Sequence, residues 1–233
     1  MRYFGPISES RMKIVVLLLV VISGCCAEEN LLGASFLFSK TTSSDRVILK
    51  PIITEPLRSI TVCLQSYTDL TQRDSLFKLQ NQNVYPFHLY QVSNIYNIKI
   101  DRDEVSFRNS GERMELRLIC VSWESSNGVI HFVVNGKLFP RKVLKPGFSI
   151  VPGFTAVLGH NLAVSDAGFG VGGPSYVGEI TNVHMWDQAL HPSEMQSMYF
   201  NNCRNCSGNV INWESVDYKI YGDILLYRPS MKP

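Results

Sequence analysis

Few groups in this sequence have the type and spacing for chemistry. Asp101-Arg102-Asp103-Glu104 is the only acidic cluster. Two carboxyls about 5 Å apart across a cleft would serve retaining glycoside hydrolysis, so a glycosidase is one reading. Against it, Ile100 and Val105 flank the cluster as hairpin strands would, and the Glu-x-Asp-x-Glu alternation that sets acids on one strand face is missing. Cys203-Arg204-Asn205-Cys206 has the spacing of a dithiol redox centre or half a zinc site, but it lacks both a thioredoxin-like βαβ context and a second cysteine pair. His131, His160, His184 and His191 have neither metal-ligand spacing nor a serine or cysteine nucleophile motif, and read as structural or surface residues. Asn205-Cys206-Ser207 meets the N-glycosylation pattern, in competition with closure of the Cys203–Cys206 bond. The residues favour a chain that is not an enzyme.

The elements that carry these residues read mostly as strands. Short alternating or β-branched runs recur between turn signals: Ser35 to Phe38, Arg46 to Leu49, Ser59 to Leu64, Ser75 to Leu79, Ile95 to Ile100, Val105 to Phe107, Glu115 to Val121, Val129 to Val134, Thr155 to Leu158, Tyr176 to Trp186 and Asp223 to Tyr227. Such spacing indicates an all-β sandwich of antiparallel sheets. Val129 to Val134 followed by Asn135-Gly136 is the clearest hairpin, because Asn-Gly supplies the two positive φ angles of a type I′ turn. One short helix is expected from Pro192, with Glu194 near its positive end and Met195, Met198 and Tyr199 on one face. Trp123, Trp186 and Trp213 read as packing residues rather than sugar platforms.

Charge and the N-terminus narrow the class. The chain has 22 basic and 20 acidic residues; Arg2, Arg11, Lys13 and Glu9 lie within residues 1–27, which leaves 19 of each sign beyond. A neutral body has no basic excess for a run of phosphates, so nucleic acid is excluded as a polyelectrolyte partner. Lys13, the apolar run Ile14 to Ile22 and the small residues Ser23 to Ala27 have the layout of a secretory signal peptide. That run is far short of the roughly 20 residues that span a bilayer as a helix, so no membrane insertion is expected. Residues 1–27 are read as the signal, possible starts being Met1 and Met12, and residues 28–233 as one extracellular domain. Ile22-Ser23-Gly24-Cys25 also has the form of a lipoprotein site, with Cys25 as the lipidated residue.

With Cys25 and Cys26 removed, Cys63, Cys120, Cys203 and Cys206 remain, an even count that favours disulfides in an oxidising compartment. Four cysteines allow three connectivities. Cys203 and Cys206 form a local pair and the other two sit in strand-like sequence, which favours Cys63–Cys120 with Cys203–Cys206.

Cys120-Val121-Ser122-Trp123-Glu124-Ser125, followed by Gly128 and Asn135-Gly136-Lys137, resembles the signature of the pentraxin family. Further matches keep the family's order: Phe36-Leu37-Phe38, Thr61-Val62-Cys63-Leu64, Leu158-Gly159, Val177 to Ile180, Asn182-Val183, Met185-Trp186-Asp187, the Pro192 helix and Val210-Ile211-Asn212-Trp213. The signature departs at Leu118, where the family usually has histidine. The resemblance implies a two-sheet jelly roll of the legume-lectin kind and a Cys63–Cys120 bond between neighbouring strands. It also implies secreted rings, commonly homopentamers or another cyclic oligomer, that act in innate immunity by binding ligands on one face. Cys203–Cys206 is not part of the common pattern.

The resemblance also implies two calcium ions per subunit, bridged to phosphate or carboxylate on the ligand. Calcium takes six to eight oxygens, several of them anionic. At the matching positions the first loop carries Asn81 and Asn83, and the second carries Asn161, Leu162, which offers a main-chain carbonyl, and Ala163; Asp166 is that loop's only carboxylate. Amides bring no charge, so the expectation is that tight calcium binding is lost, the alternative being one weakened site. Where some pentraxins hold choline, the resemblance places Tyr90 as the aromatic wall and Glu104 as the carboxylate. Lys99 falls at a position that is often small. It reads either as fixed charge replacing the metal, for ligands such as phosphocholine or phosphoethanolamine, or as a solvated strand residue. A ring that is structural or storage-like, with no ligand, is the remaining alternative.

Overall fold

Alternation of apolar and polar side chains builds two antiparallel sheets in a computed structural model of the chain. It describes residues 30–69, 73–81, 84–109, 115–160, 162–164, 170–172, 175–203 and 206–229. The larger sheet runs β10 (Lys137–Leu138), β9 (Val129–Val134), β8 (Arg117–Glu124), β3 (Ser59–Tyr67), β15 (Gly178–Trp186), β1 (Ser35–Phe38) and β17 (Ile224–Tyr227), with β11 (Lys142–Val143) also on β9. The second runs β16 (Tyr218–Tyr221), β2 (Arg46–Leu49), β12 (Thr155–Leu158), β4 (Arg73–Asn81), β5 (Val84–Val92), β6 (Ile95–Ile100) and β7 (Asp103–Arg108). A short pair, β13 (Leu162–Val164) with β14 (Gly170–Gly172), stands apart. Consecutive strands such as β3 and β4 lie in opposite sheets, which gives the expected jelly-roll sandwich.

The core between the sheets holds Phe36, Phe77, Phe87, Tyr96, Trp123, Phe132 and Trp213, all inaccessible to solvent. Trp123 spends its one donor on the Leu144 carbonyl at 2.8 Å, so its burial leaves no polar group unpaired. A second apolar cluster lies on the outer side of the larger sheet, where Cys63, Leu118, Cys120, Val133 and Trp186 meet Leu190 and Met195. Leucine in place of histidine at 118 is thus absorbed by an apolar environment. Cys63 and Cys120 face each other across β3 and β8 and are bonded, with their Cα atoms 4.2 Å apart. Cys203 and Cys206 are also bonded.

The one helix among the described residues, α1 (Pro192–Phe200), lies over that second cluster and buries Pro192 and Met195. His191 caps it, its ring accepting from Ser193 N while the Glu194 carboxylate accepts from His191 N at 2.7 Å. The expected helical face is narrower than read: Tyr199 is 41% exposed and packs on Gly136 of the β9–β10 turn. There Asn135 and Gly136 both have positive φ, 48° and 73°, as a type I′ turn requires.

β5 is not among the strands expected from sequence, and it contains Pro86. Proline is tolerated there because its nitrogen side faces the β6–β7 turn, just past the last β5–β6 pair Phe87–Ile100, where its carbonyl still accepts from Asp101 N at 3.1 Å. The short strands β10, β11, β13, β14 and β16 are likewise not among those expected.

Candidate ligand-binding face

In the seven-stranded sheet Phe77, Leu79, Phe87, Leu89, Ile98 and Ile100 point into the core. Side chains alternate along a strand, so their neighbours in register form the outer face. One row across the sheet reads Lys219, Ile48, Val157, Lys78, His88, Lys99, Glu104. The next reads Ser75, Tyr90, Asn97, Ser106.

The three residues expected at a ligand pocket come together here. Tyr90 donates its hydroxyl to Glu104 Oε2 at 2.5 Å, and Lys99 stands between His88 and Glu104 in the register. No ion pair joins Lys99 to Glu104 among the described residues. Ser75 Oγ lies 2.9 Å from His88 Nε2, and the His88 and Tyr90 rings are 4.8 Å apart. Asp101 and Asp103, the other carboxylates of the acidic cluster, are held by Lys145 at 3.1 and 3.4 Å. They tie the β6–β7 turn to the segment after β11 and leave Glu104 as the cluster's contribution to this face.

Lys78 was not singled out in the sequence, nor was His88. Lys78 is 1% exposed although it belongs to the outer row. Among the described residues its Nζ has no hydrogen-bond partner, and it sits 4.7 Å from the Tyr85 ring centroid. Burial, reinforced by the Arg46 charge, pushes its ammonium down to about 8. His160, just after β12, is 1% exposed and its ring Nε2 meets the Ser43 carbonyl at 2.9 Å, so this nitrogen is the donor. Burial holds His160 below the ordinary histidine range, and the Lys78 and Arg46 charges act in the same direction. Arg46 stacks on Tyr221 at 4.2 Å. Alternation along β4 signalled that Lys78 faces away from the core, but only the register shows what it faces.

Of the expected calcium positions, Asn81 closes β4 opposite Val84 and lines a groove with Pro86, Asp101, Phe148 and Phe154. Leu162 opens β13 opposite Gly172. Asn83, Asn161, Asp166 and the glycosylation position Asn205 lie outside the described residues. Among the described residues no three His, Cys, Asp or Glu side chains gather as a metal site, and no helix is long and apolar enough to cross a membrane. Trp123 and Trp213 are fully buried and Trp186 is 7% exposed, so packing is their role.

Residues 34–229 match the Pentaxin family. The chain is 37% identical over 200 residues to a C-reactive protein of Xenopus laevis, covering 84% of this chain and 83% of that one. It is 33% identical over 205 residues to C-reactive protein of Homo sapiens, at 85% and 89% coverage. Against serum amyloid P-component of Cavia porcellus it is 32% identical over 211 residues, at 88% and 91%. Among solved structures, a native heptameric SAP-like pentraxin from Limulus polyphemus superposes with a TM-score of 0.70 at 17% identity, covering 89% of this chain and 99% of the other.

Proposed function

The chain belongs to the pentaxin family and is not an enzyme, and from that premise we propose that it is a secreted, ring-forming recognition protein of innate immunity. It binds phosphate- or carboxylate-bearing ligands, such as phosphocholine or phosphoethanolamine, on the outer face of the seven-stranded sheet. The observation that carries this reading is the cluster of Tyr90, Lys99 and Glu104 on that face, beside His88 and Lys78. An aromatic wall hydrogen-bonded to a carboxylate suits an ammonium group, and the neighbouring lysines suit an oxyanion. The scarcity of carboxylates at the expected calcium positions supports a degenerate calcium site, with Asn81, Asn83, Asn161, the Leu162 carbonyl and Asp166 its remaining ligands. The signal-like residues 1–27 support export. One solved neighbour is heptameric, which supports a cyclic oligomer without fixing its size.

Capture on phosphocholine and phosphoethanolamine beads, in calcium and in EDTA, tests the reading. Retention in EDTA that falls with Lys99→Ala is expected. Capture in calcium only, together with two-site micromolar calcium binding by titration calorimetry, would overturn it.

A further inference from the structure

Lys78 carries three donors, and its Nζ uses none of them. An unpaired ammonium in the protein interior is costly, because the water it has lost is not replaced by a counter-charge. A counter-charge supplied from outside the chain would remove that cost. The neighbours of Lys78 do not: Arg46 repels it, Val157 is apolar, and His88 beside it in register is bonded to Ser75. Among the described residues only the Tyr85 ring, half-buried, offers it partial compensation. Lys99 lies one strand beyond His88 in the same row, and Arg46 is the charge that acts on the Lys78 ammonium.

We propose that Lys78 is the anchor of a calcium-independent phosphate subsite on this face. It takes a phosphate-monoester dianion, whose charge would otherwise be met by metal. This deepens the function proposed above and rests on it. A dianion fits better than a carboxylate because Lys78, Arg46 and Lys99 together present more than one positive charge. The flexible four-carbon stem lets Nζ exchange the Tyr85 ring for an oxygen of the ligand.

The test uses the full mature chain in EDTA at pH 7 and constant ionic strength, with inorganic phosphate and O-phosphoethanolamine as probes and acetate as the carboxylate arm. Saturable binding of both phosphates is expected, with acetate at least tenfold weaker. Lys78→Met should lose tenfold or more of the phosphate affinity and Lys78→Arg should keep most of it, while near-ultraviolet circular dichroism verifies that each variant is folded. Phosphate affinity within twofold of wild type in Lys78→Met overturns the subsite. So does a fall in melting temperature of the unliganded Lys78→Met protein, since that identifies an ammonium already compensated within the fold. Bead capture in EDTA that survives Lys78→Met would remove the subsite and leave the wider function standing. Lys78-dependent binding of inorganic phosphate without any bead capture would keep the subsite and remove the wider function.

Discussion

Replacing Lys78 by methionine should stabilise the unliganded protein. Burial lowers the ammonium from its usual 10.5 to about 8, which corresponds to a folded-state penalty of about 3 kcal/mol. Methionine keeps a flexible apolar stem and removes the charge, and exchange of buried charge for well-packed apolar volume is often favourable by ~1–4 kcal/mol. The lost contact with the Tyr85 ring at 4.7 Å offsets some ~0.5–2 kcal/mol of that gain. A net stabilisation of about 1–2 kcal/mol remains, which for a domain of this size raises the melting temperature by roughly 2–8 °C. The pH profile adds a second reading. Between pH of about 8 and 10.5 the unfolded chain holds a proton at Lys78 that the folded chain has released, so wild-type stability rises with pH across that window. Below it both states are protonated and the penalty is constant. Lys78→Met should lack this rise, and saturating phosphate should flatten it in the wild type by raising the folded-state value. Urea denaturation followed by the fluorescence of the buried Trp123 and Trp213, at fixed protein concentration, measures both effects. A less stable variant, or a wild-type profile flat through this range, would refute the reasoning.

At the acid end His184 dominates: burial lowers it to about 4, so below pH 6.5 the unfolded chain takes a proton that the folded one refuses. Stability should fall by up to about 3 kcal/mol between pH 6.5 and 4, and denaturation of His184→Leu should follow a visibly shallower profile if that assignment holds. The two disulfides should separate by loop length. Cys63 and Cys120 are 57 residues apart, so removing both by alanine substitution should cost about 4 kcal/mol, whereas the three-residue separation of Cys203 and Cys206 predicts a far smaller change in the same urea assay.

Local signals carried well from sequence to structure. Asn135-Gly136 specified its hairpin because few residue pairs accept two positive φ angles, and Pro192 with Glu194 specified a helix start. Tyr90, Lys99 and Glu104 proved neighbours because their strands are consecutive and paired by tight turns. The other half of the face was not legible. Lys78 gains its meaning from β12, paired with β4, and from β2, paired in turn with β12, across long sequence separations, and no local pattern encodes those registers. Along β3, Ile60, Val62 and Leu64 alternate with Thr61, Cys63 and Gln65 and so mark the core side, but nothing local shows that the Cys63 side is buried as well. Pro86 argues for a break in sequence, yet it falls just past the end of the β5–β6 ladder, where no N–H is needed.

Placing α1 over the Cys63–Cys120 bond sets the order in which reductants act on the protein. Both sulfurs are fully buried, and Cys63 Sγ touches Met198 Sδ at 3.7 Å, so a thiolate reaches this bond only after the helix has lifted. Cys203 and Cys206 are half-buried just beyond the end of the helix and meet a soluble thiol first. Mild reduction therefore opens the small loop while the sandwich stays intact, and the rate at which the second bond opens is a clock for undocking of the helix.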